Sequence, residues 1–263
     1  MSNTFAIKEV LDFSVEQYSA SGRGNILFSC DYASNSTVET TGQRLAIKGG
    51  SSFYKILDLD FDKECMFNSM LPIVDVNALA VKLGVPVTTG SVNTPNKQIL
   101  TATGATPTVT LASTPVTGTL KVHVLELERD LGVEQTVGNA STPNEYSIAG
   151  KVITLNSSLE NKKVIVFYDY ASGATAQNIK ITASDFPNFI TITGRGLVDD
   201  DQEGQKIPVS FKVHKAKVKP EFSLTMASDS ATELAFDCDC YTILNSDNKR
   251  EFVDIVKLND EAF

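Results

Sequence analysis

The stretch that decides the fold runs from residue 206 to residue 244 and reads KIPVSFKVHKAKVKPEFSLTMASDSATELAFDCDCYTIL. Apolar and polar residues alternate in its first arm, slip by one residue at His214-Lys215, and resume after the polar turn Ser228-Asp229-Ser230. A period of two predicts a half-buried strand, and one extra residue that exchanges the faces predicts a β-bulge or strand corner. We therefore expect a long antiparallel hairpin. Its expected core face carries Ile207, Val209, Phe211, Val213, Ala216, Val218, Phe222, Leu224, Met226, Leu234, Phe236, Cys238 and Cys240.

The polar face of this hairpin separates its charges by sign. Lysines stand on the first arm and carboxylates on the second: Lys215, Lys217 and Lys219 against Glu233, Asp237 and Asp239. A solvated face explains any one of these residues. Separation by sign, however, suits strands that must meet a partner in a fixed register, within the hairpin or across a subunit boundary. We therefore predict Lys215, Lys217, Lys219, Asp237 and Asp239 as interface residues.

The C-terminal part of the chain resembles the tail tube, or major tail, proteins of long-tailed bacteriophages. The resemblance begins at ITASDFPNFITITG (residues 181–194), with Asp185-Phe186-Pro187 before a strand, and continues through an acidic loop at residues 199–204. It ends with a strand of the hKAKhxxxFxLTM type and an acidic-apolar strand, so it covers roughly the last ninety residues best. The block GKVITLNSSLENKKVIVFYDY (residues 150–170) is similar to one inserted in some of these tube proteins.

This resemblance implies a structural virion protein rather than an enzyme. It implies hexameric rings stacked into a hollow tube with a β-lined bore, through which double-stranded DNA passes. The partners it implies are further copies of the chain, tape measure and tail completion proteins, and a sheath protein if the tail is contractile. Assembly in the host cytoplasm and location in the phage tail follow from the same likeness. In such a tube, the acidic residues Asp199, Asp200, Asp201 and Glu203 are expected between rings or at the bore.

Length and composition allow one large or two small domains with real cores, and predict no membrane span. The 263 residues are 42% apolar, carry a net charge of −9, and contain no apolar run long enough for a membrane span. The first residues lack the basic and apolar regions of a secretory signal, so we expect none. Four cysteines without CxxC spacing are expected to be reduced and buried. A negative net charge argues against a surface that grips DNA phosphates.

The N-terminal third predicts strands and one helix. Strand alternation is seen over residues 26–32 and 53–61, separated by an expected Ser/Thr/Asn-rich loop at residues 33–42. Asp58, Asp60 and Asp62 occupy the polar face of the second strand; a metal site is the less favoured interpretation, because alternate strand residues point in parallel. Residues 72–84 predict a helix capped by Asp75 and ended by Gly84. The apolar side expected for it carries Val76, Leu79, Ala80 and Leu83.

The middle of the chain predicts a separate β domain. A Thr/Ser/Gly/Pro-rich stretch at residues 88–115 is typical of a linker followed by short strands, and turn signals recur at Thr117-Gly118, Ala149-Gly150 and Glu160-Asn161. We predict that residues 99–170 form an inserted, immunoglobulin-like β-sandwich without a Cys-Trp-Cys pin. The main tail-tube barrel then comprises residues 1–98 and 171–263. We expect the insert on the outside of the tube, where it is dispensable.

No catalytic or ligand-binding constellation is predicted. His123 and His214 lie in predicted strands without a nucleophile arrangement, and the acidic loop lacks a carboxylate at Ser210, the twelfth position of a calcium loop. We therefore expect no catalytic residue, cofactor or metal. The alternative function is a binding module of the virion or cell surface, whose insert binds carbohydrate or protein through aromatic residues. The candidates are Tyr146, Phe167, Tyr168 and Tyr170, although Tyr168 and Tyr170 share a face with core valines.

Overall fold

The computed structural model describes residues 5–31, 33–49, 53–127, 130–200, 206–221, 223 and 233–258. The elements in chain order are β1 Phe5–Gln17, β2 Ile26–Cys30, β3 Asn35–Gly49, β4 Tyr54–Leu71, α1 Val76–Leu83, β5 Thr88–Thr89, β6 Asn93–Thr101, β7 Thr108–Thr110, β8 Lys121–Leu127, β9 Asp130–Val137, β10 Glu145–Ala149, β11 Val152–Leu155, a 3-10 turn Ser157–Leu159, β12 Lys163–Ala171, β13 Gln177–Asn178, β14 Phe189–Asp200, β15 Lys206–Val218, β16 Leu234–Cys240, β17 Ile243–Leu244, β18 Arg250–Glu251 and β19 Val253–Lys257.

The chain divides into two compact units. The first comprises Met1–Val87 and Ile179–Phe263, and the second comprises Thr88–Asn178. The second unit is wider than the range 99–170 expected from the sequence, because β6, in the expected linker, pairs along its whole length with β12. Threonine and asparagine in that stretch form an ordinary strand once a neighbour supplies the hydrogen bonds.

The first unit is a mainly β, nearly closed, barrel-like sheet with one helix in its described part. Its strand order is β2-β1-β14-β15-β16-β4-β3, and β19 pairs with β15 beside this path. The predicted fold class, mainly β with one short helix, is therefore confirmed. The immunoglobulin-like character of the insert stays a prediction.

The slip in alternation at His214-Lys215 is a β-bulge, as predicted. Ala216 pairs with Ile190 and Val213 pairs with Ile192, so two residues of β15 stand opposite Thr191 alone. Val209, Phe211 and Val213 are buried before the bulge, and Ala216 and Val218 after it. The bulge is also the place where one edge of β15 changes partner: residues 209–213 pair with β19, and residues 216–218 pair with β16. It therefore acts as a corner in the barrel wall.

The expected loop at residues 33–42 is wrong. β3 begins at Asn35 and pairs with β4 from Asn35↔Met70 to Gly49↔Tyr54, which makes a long hairpin. The Ser/Thr/Asn composition reflects an exposed strand rather than a loop, because threonine favours strands and polar side chains suit a solvated face.

The ends of α1 lie where the sequence predicts. The Asp75 side chain accepts a hydrogen bond from the Asn77 backbone N–H at 3.1 Å, and Gly84 ends the helix with φ of 70°. A Cβ at Gly84 would stand 2.3 Å from the backbone carbonyl carbon of Phe186. Only glycine meets both demands, the left-handed backbone and the close approach.

The buried side of α1 differs from the prediction. The fully buried residues are Ala78, Ala80 and Lys82, while Val76 and Leu83 are only half-buried. Lys82, 2% exposed, reaches β16 and donates a hydrogen bond from Nζ to the backbone carbonyl of Ala235. A lysine can occupy the inner face because its stem packs like an alkyl chain while its head finds an acceptor.

Aromatic rings fill the centre of the first unit. Phe13 and Phe67 meet edge-on with ring centroids 5.6 Å apart, and Phe28 meets Phe236 at 5.4 Å. Phe211 stacks on Phe67 at 6.0 Å. Such pairs add about 0.5–1.5 kcal/mol each beyond the burial of their area. These rings come from five different strands and hold the wall together around one core.

The second unit has its own core. Its strands follow the order β6-β12-β8-β9-β10-β11-β7, all antiparallel except the short parallel pairing of β9 with β10. Alternating residues of β11 and β12 supply the centre, including Ile153, Leu155, Val164 and Val166. Its first and last residues meet across the ladder, since Thr88 pairs with Asn178. The two ends of the second unit therefore lie side by side.

Candidate functional site

The predicted charged hairpin is present but short. β15 and β16 pair antiparallel through Ala216↔Cys240, Lys217↔Asp239 and Val218↔Cys238. The hairpin is shorter than predicted because the rest of this edge of β15 belongs to β19. The expected core residues Phe222, Leu224 and Met226 and the turn at Ser228–Ser230 lie outside the described residues.

The lysine row meets aromatic rings as well as carboxylates. Lys219 Nζ lies 3.4 Å from Asp239 Oδ1. Lys215 Nζ instead lies 4.1 Å from the ring centre of Phe189 and 5.0 Å from that of Tyr18, and Lys217 approaches Phe189 at 5.7 Å. Cation–π contacts of this kind hold the lysines against β14. That this row, with Asp237 and Asp239, lies at a subunit boundary stays a prediction.

The first two residues of the predicted acidic loop lie in a strand instead. Asp199 and Asp200 belong to β14, where they pair with Ala6 and Phe5 of β1, so they are not loop residues. Strand pairing extends this far because β1, β14 and β15 run side by side, and Asp199 also pairs with Lys206. Asp201 and Glu203 lie outside the described residues, and the role of the segment between rings or at the bore stays a prediction.

The hairpin of β3 and β4 ends in an amphipathic ribbon. We call residues 43–49 and 53–61 the distal ribbon. The pairs Leu45↔Leu59 and Ile47↔Leu57, with Phe61, form its apolar face. These five side chains are between 40% and 55% exposed. In the described part of the chain nothing buries this face, although its composition is that of a core strand.

The opposite face of the distal ribbon is charged. Arg44 Nε lies 2.6 Å from Asp60 Oδ1, and Lys55 Nζ lies 2.5 Å from Asp58 Oδ2. The hydrogen bond to Arg44 lowers the pKa of Asp60, and the same bond raises the pKa of Arg44. Asp58 and Asp60 are therefore ion-paired, and Asp60 faces water, which is the interpretation that the sequence favours for this face of the strand.

A β-bulge separates the distal ribbon from the base of the hairpin. Thr41 pairs with Glu64 and Gln43 pairs with Phe61, so Gly42 stands opposite Asp62 and Lys63. Asp62 adopts the left-handed backbone conformation, with φ of 50°. One extra residue exchanges the two faces of a strand. The apolar face of the distal ribbon therefore continues the outer side of the barrel wall, whereas its charged face continues the core side.

The aromatic residues proposed for sugar binding are mostly committed to packing. Tyr146 and Tyr168 are buried in the core of the second unit, and Tyr170 packs against it. The Tyr168 hydroxyl is 3.2 Å from Gln98 Oε1 and accepts from Asn96 Nδ2 at 3.0 Å. Phe167 is half-buried, under Lys97. Core packing of Tyr168 and Tyr170 is confirmed, and the aromatic platform that motivated the binding-module alternative is not formed by these residues.

Two polar clusters escape detection in the sequence. His214 Nε2 lies 3.1 Å from Asp254 Oδ2 and 3.6 Å from Glu251 Oε1. Cys65 stands directly opposite Cys240 in the ladder between β4 and β16. Burial raises the pKa of both thiols and of Cys238, so all three stay protonated. Residues this far apart in sequence carry no spacing signal, and only strand pairing brings them together.

Comparison with protein families assigns the chain to one family. The model of the YomU/Tube protein family matches residues 5–255. The chain belongs to the YomU/Tube protein family. Comparison with curated proteins gave no match. Membership in this family agrees with a tube-like structural protein of phage type and with a place in the virion. No helix in the described part of the chain has the length and apolar character that crossing a membrane requires.

Proposed function

We propose that this member of the YomU/Tube family is the building subunit of a bacteriophage tail tube. Hexameric rings of the chain stack into a hollow conduit for DNA ejection. Family membership, the barrel-like sheet and the resemblance of the last strands to major tail proteins support the proposal. The observation that carries it is the uncovered apolar face of the distal ribbon.

The distal ribbon needs a partner on physical grounds. A two-stranded ribbon alone in water is marginally stable, and this one exposes five large apolar side chains on one face. Covering half-exposed side chains of this size contributes on the order of 1 kcal/mol each. The bulge at Asp62 turns the apolar face away from the core side of its own wall. A neighbouring subunit is therefore the surface that covers it.

A second copy of the chain suits this role. Among the described strands β3 is the last of its sheet, so one row of its backbone N–H and C=O groups faces away from β4. A free strand edge beside an apolar face favours aggregation of a monomer, and in an ordered assembly it can serve as the contact between subunits. A head-to-tail contact of this kind closes a ring when the rotation between copies is a full turn divided by a whole number, without a shift along the axis. Each subunit then supplies one ribbon and receives another.

The charge of the chain supports passage of DNA rather than its retention. With a net charge of −9, the protein lacks the excess of lysine and arginine that binds phosphates through counterion release. A polar or acidic bore lets a polyanion slide. We include the tape measure and tail completion proteins, and a sheath if the tail is contractile, among the proposed partners.

The test changes the apolar face and compares it with the charged face of the same strand. Leu57→Ser with Leu59→Ser removes apolar contacts; Asp58→Ser with Asp60→Ser alters two neighbours on the other side. We expect tubes or rings from the wild type and the control pair by negative-stain microscopy. We expect a folded, dispersed subunit from the leucine pair. Normal tubes from the leucine pair, or a wild type that stays dispersed at every concentration, would contradict the proposal.

A further inference from the structure

His214, Glu251 and Asp254 form a cluster that the tube function does not use. His214 stands in the bulge of β15, Glu251 ends β18, and Asp254 lies in β19. One potential ligand atom from each lies within 4.8 Å of the other two. The cluster therefore joins the last two strands of the chain to the middle of the barrel wall.

The histidine is the feature that needs explanation. Its side chain is only 10% exposed, and among the described residues Nε2 has no hydrogen-bond partner. Asp254 Oδ2 is close, at 3.1 Å, but the two atoms are not aligned as a hydrogen bond. A buried ring nitrogen without a partner loses its hydration for no return. It is aimed between two carboxylates.

The distances match those between ligands on one metal ion. Atoms bound at about 2.1 Å to a tetrahedral Zn²⁺ stand about 3.4 Å from one another. The separations from Nε2 to Asp254 Oδ2 and to Glu251 Oε1, 3.1 Å and 3.6 Å, lie on either side of this value, and the two carboxylates offer oxygens within 4.8 Å of each other. One imidazole and two carboxylates are ligands that Zn²⁺ accepts, and water completes the shell.

The surrounding contacts hold the ligands in place. The second oxygen of Glu251, Oε2, accepts a hydrogen bond from Asn245 Nδ2 at 2.9 Å, which leaves Oε1 for the site. Asn245 is itself fixed, because its Oδ1 accepts from the backbone N–H of Asp247 and Lys249. The backbone of His214 is bonded on both sides, by donation to Phe252 and acceptance from Thr191. Outer contacts of this kind orient metal ligands.

We propose that His214, Glu251 and Asp254 bind one divalent transition-metal ion of the Zn²⁺ class. The ion fastens the C-terminal strand β19 and the β17–β18 pair to the bulge of β15. Lys212, an exposed residue, pairs with Asp254 across the ladder and brings a positive charge to the neighbourhood of the site. This proposal does not depend on the tube function, because it concerns the folded subunit alone.

The experiment uses the full chain with any affinity tag removed, titrated with Zn²⁺ by calorimetry. We expect one ion per chain, no comparable binding of Mg²⁺, and ligand-field absorption bands from Co²⁺ at the same site. At about a hundredfold excess over Kd, Zn²⁺ should raise Tm by about 5 °C. Asp254→Asn and His214→Gln should each weaken Zn²⁺ binding about tenfold or more.

The matched control is His123→Gln, which removes the histidine of the second unit. It should leave stoichiometry and affinity unchanged. Absence of saturable Zn²⁺ binding would overturn the proposal and leave the cluster as an ion pair. Binding that survives Asp254→Asn at full affinity, or that His123→Gln abolishes, would overturn it too.

Discussion

The base and the tip of the hairpin β3–β4 carry the same alternation of apolar residues but have opposite surroundings. At the base, Cys65, Phe67 and Leu71 are buried against β16 and the aromatic core. At the tip, Leu57 and Leu59 continue the alternation and stay half-exposed. The difference teaches that alternation predicts an apolar strand face that needs a packing partner. It does not tell whether that partner belongs to the same chain or to another one.

Removing the bulge at Asp62 is the change from which we expect the largest effect on the difference between base and tip. Deleting Asp62 removes the extra residue and exchanges the faces of the distal ribbon relative to the base. We expect the subunit to fold, because the base and its core are unchanged, and we expect tube formation to be lost entirely. Circular dichroism and negative-stain microscopy measure the two outcomes. Normal tubes from the deletion variant would show that the orientation of the ribbon is irrelevant.

Phenylalanine at both ends of the hairpin gives a matched pair. Phe67→Ala empties a site that is 1% exposed and should lower the free energy of unfolding by about 3–5 kcal/mol. Phe61→Ala, on the exposed face, should change it by less than about 0.5 kcal/mol in the dispersed subunit while weakening assembly. Urea unfolding of unassembled protein measures both. Equal losses would mean that the ribbon is buried within its own chain.

The smallest expected effect concerns Lys82 of α1 and the dependence of the free energy of unfolding on pH. Burial lowers the pKa of Lys82 from 10.5, so between the folded-state pKa and 10.5 the unfolded chain binds more protons than the folded one. The free energy of unfolding contributed by this residue therefore rises with pH across that window. Lys82→Met should remove the rise, whereas Lys163→Met, an exposed control, should keep it. Urea unfolding at several pH values up to about pH 10.5 measures the slope. An unchanged slope in Lys82→Met would contradict the burial of the charge.

Local signals in the sequence were sufficient for part of this fold. The cap at Asp75, the stop at Gly84 and the slip at His214-Lys215 each depend on a few consecutive residues, and all three are confirmed. The strand at residues 35–42 is not predictable from its own residues, because its polar composition also suits a loop. What decides between the two is pairing with β4, which only the folded chain reveals.

The sites depended on information that local patterns do not contain. The lysine row reads as complementary to the aspartate row, yet Lys215 turns to Phe189 because β14 lies on the other side of β15. His214 meets Glu251 and Asp254 only because β15 exchanges partners at its bulge. Lys82 can be buried because the backbone carbonyl of Ala235 in β16 accepts a hydrogen bond from its Nζ. Each case is a contact between elements that lie far apart in the sequence, and charge and spacing do not predict such contacts.

The pairing of the first strand with β14 has a consequence for the order in which the chain acquires its structure. Ser14 and Thr193, whose hydroxyls are 2.8 Å apart, are separated by 179 residues. β1 can pair early with β2, but on the ribosome it must wait for β14 until almost three quarters of the polypeptide has emerged, whereas residues 88–178 contain all the partners of their own strands. We expect the second unit to mature first and the barrel to close late, as high contact order requires. During that interval we expect the apolar side chains of the nascent β3–β4 hairpin to stay exposed to water, which favours aggregation.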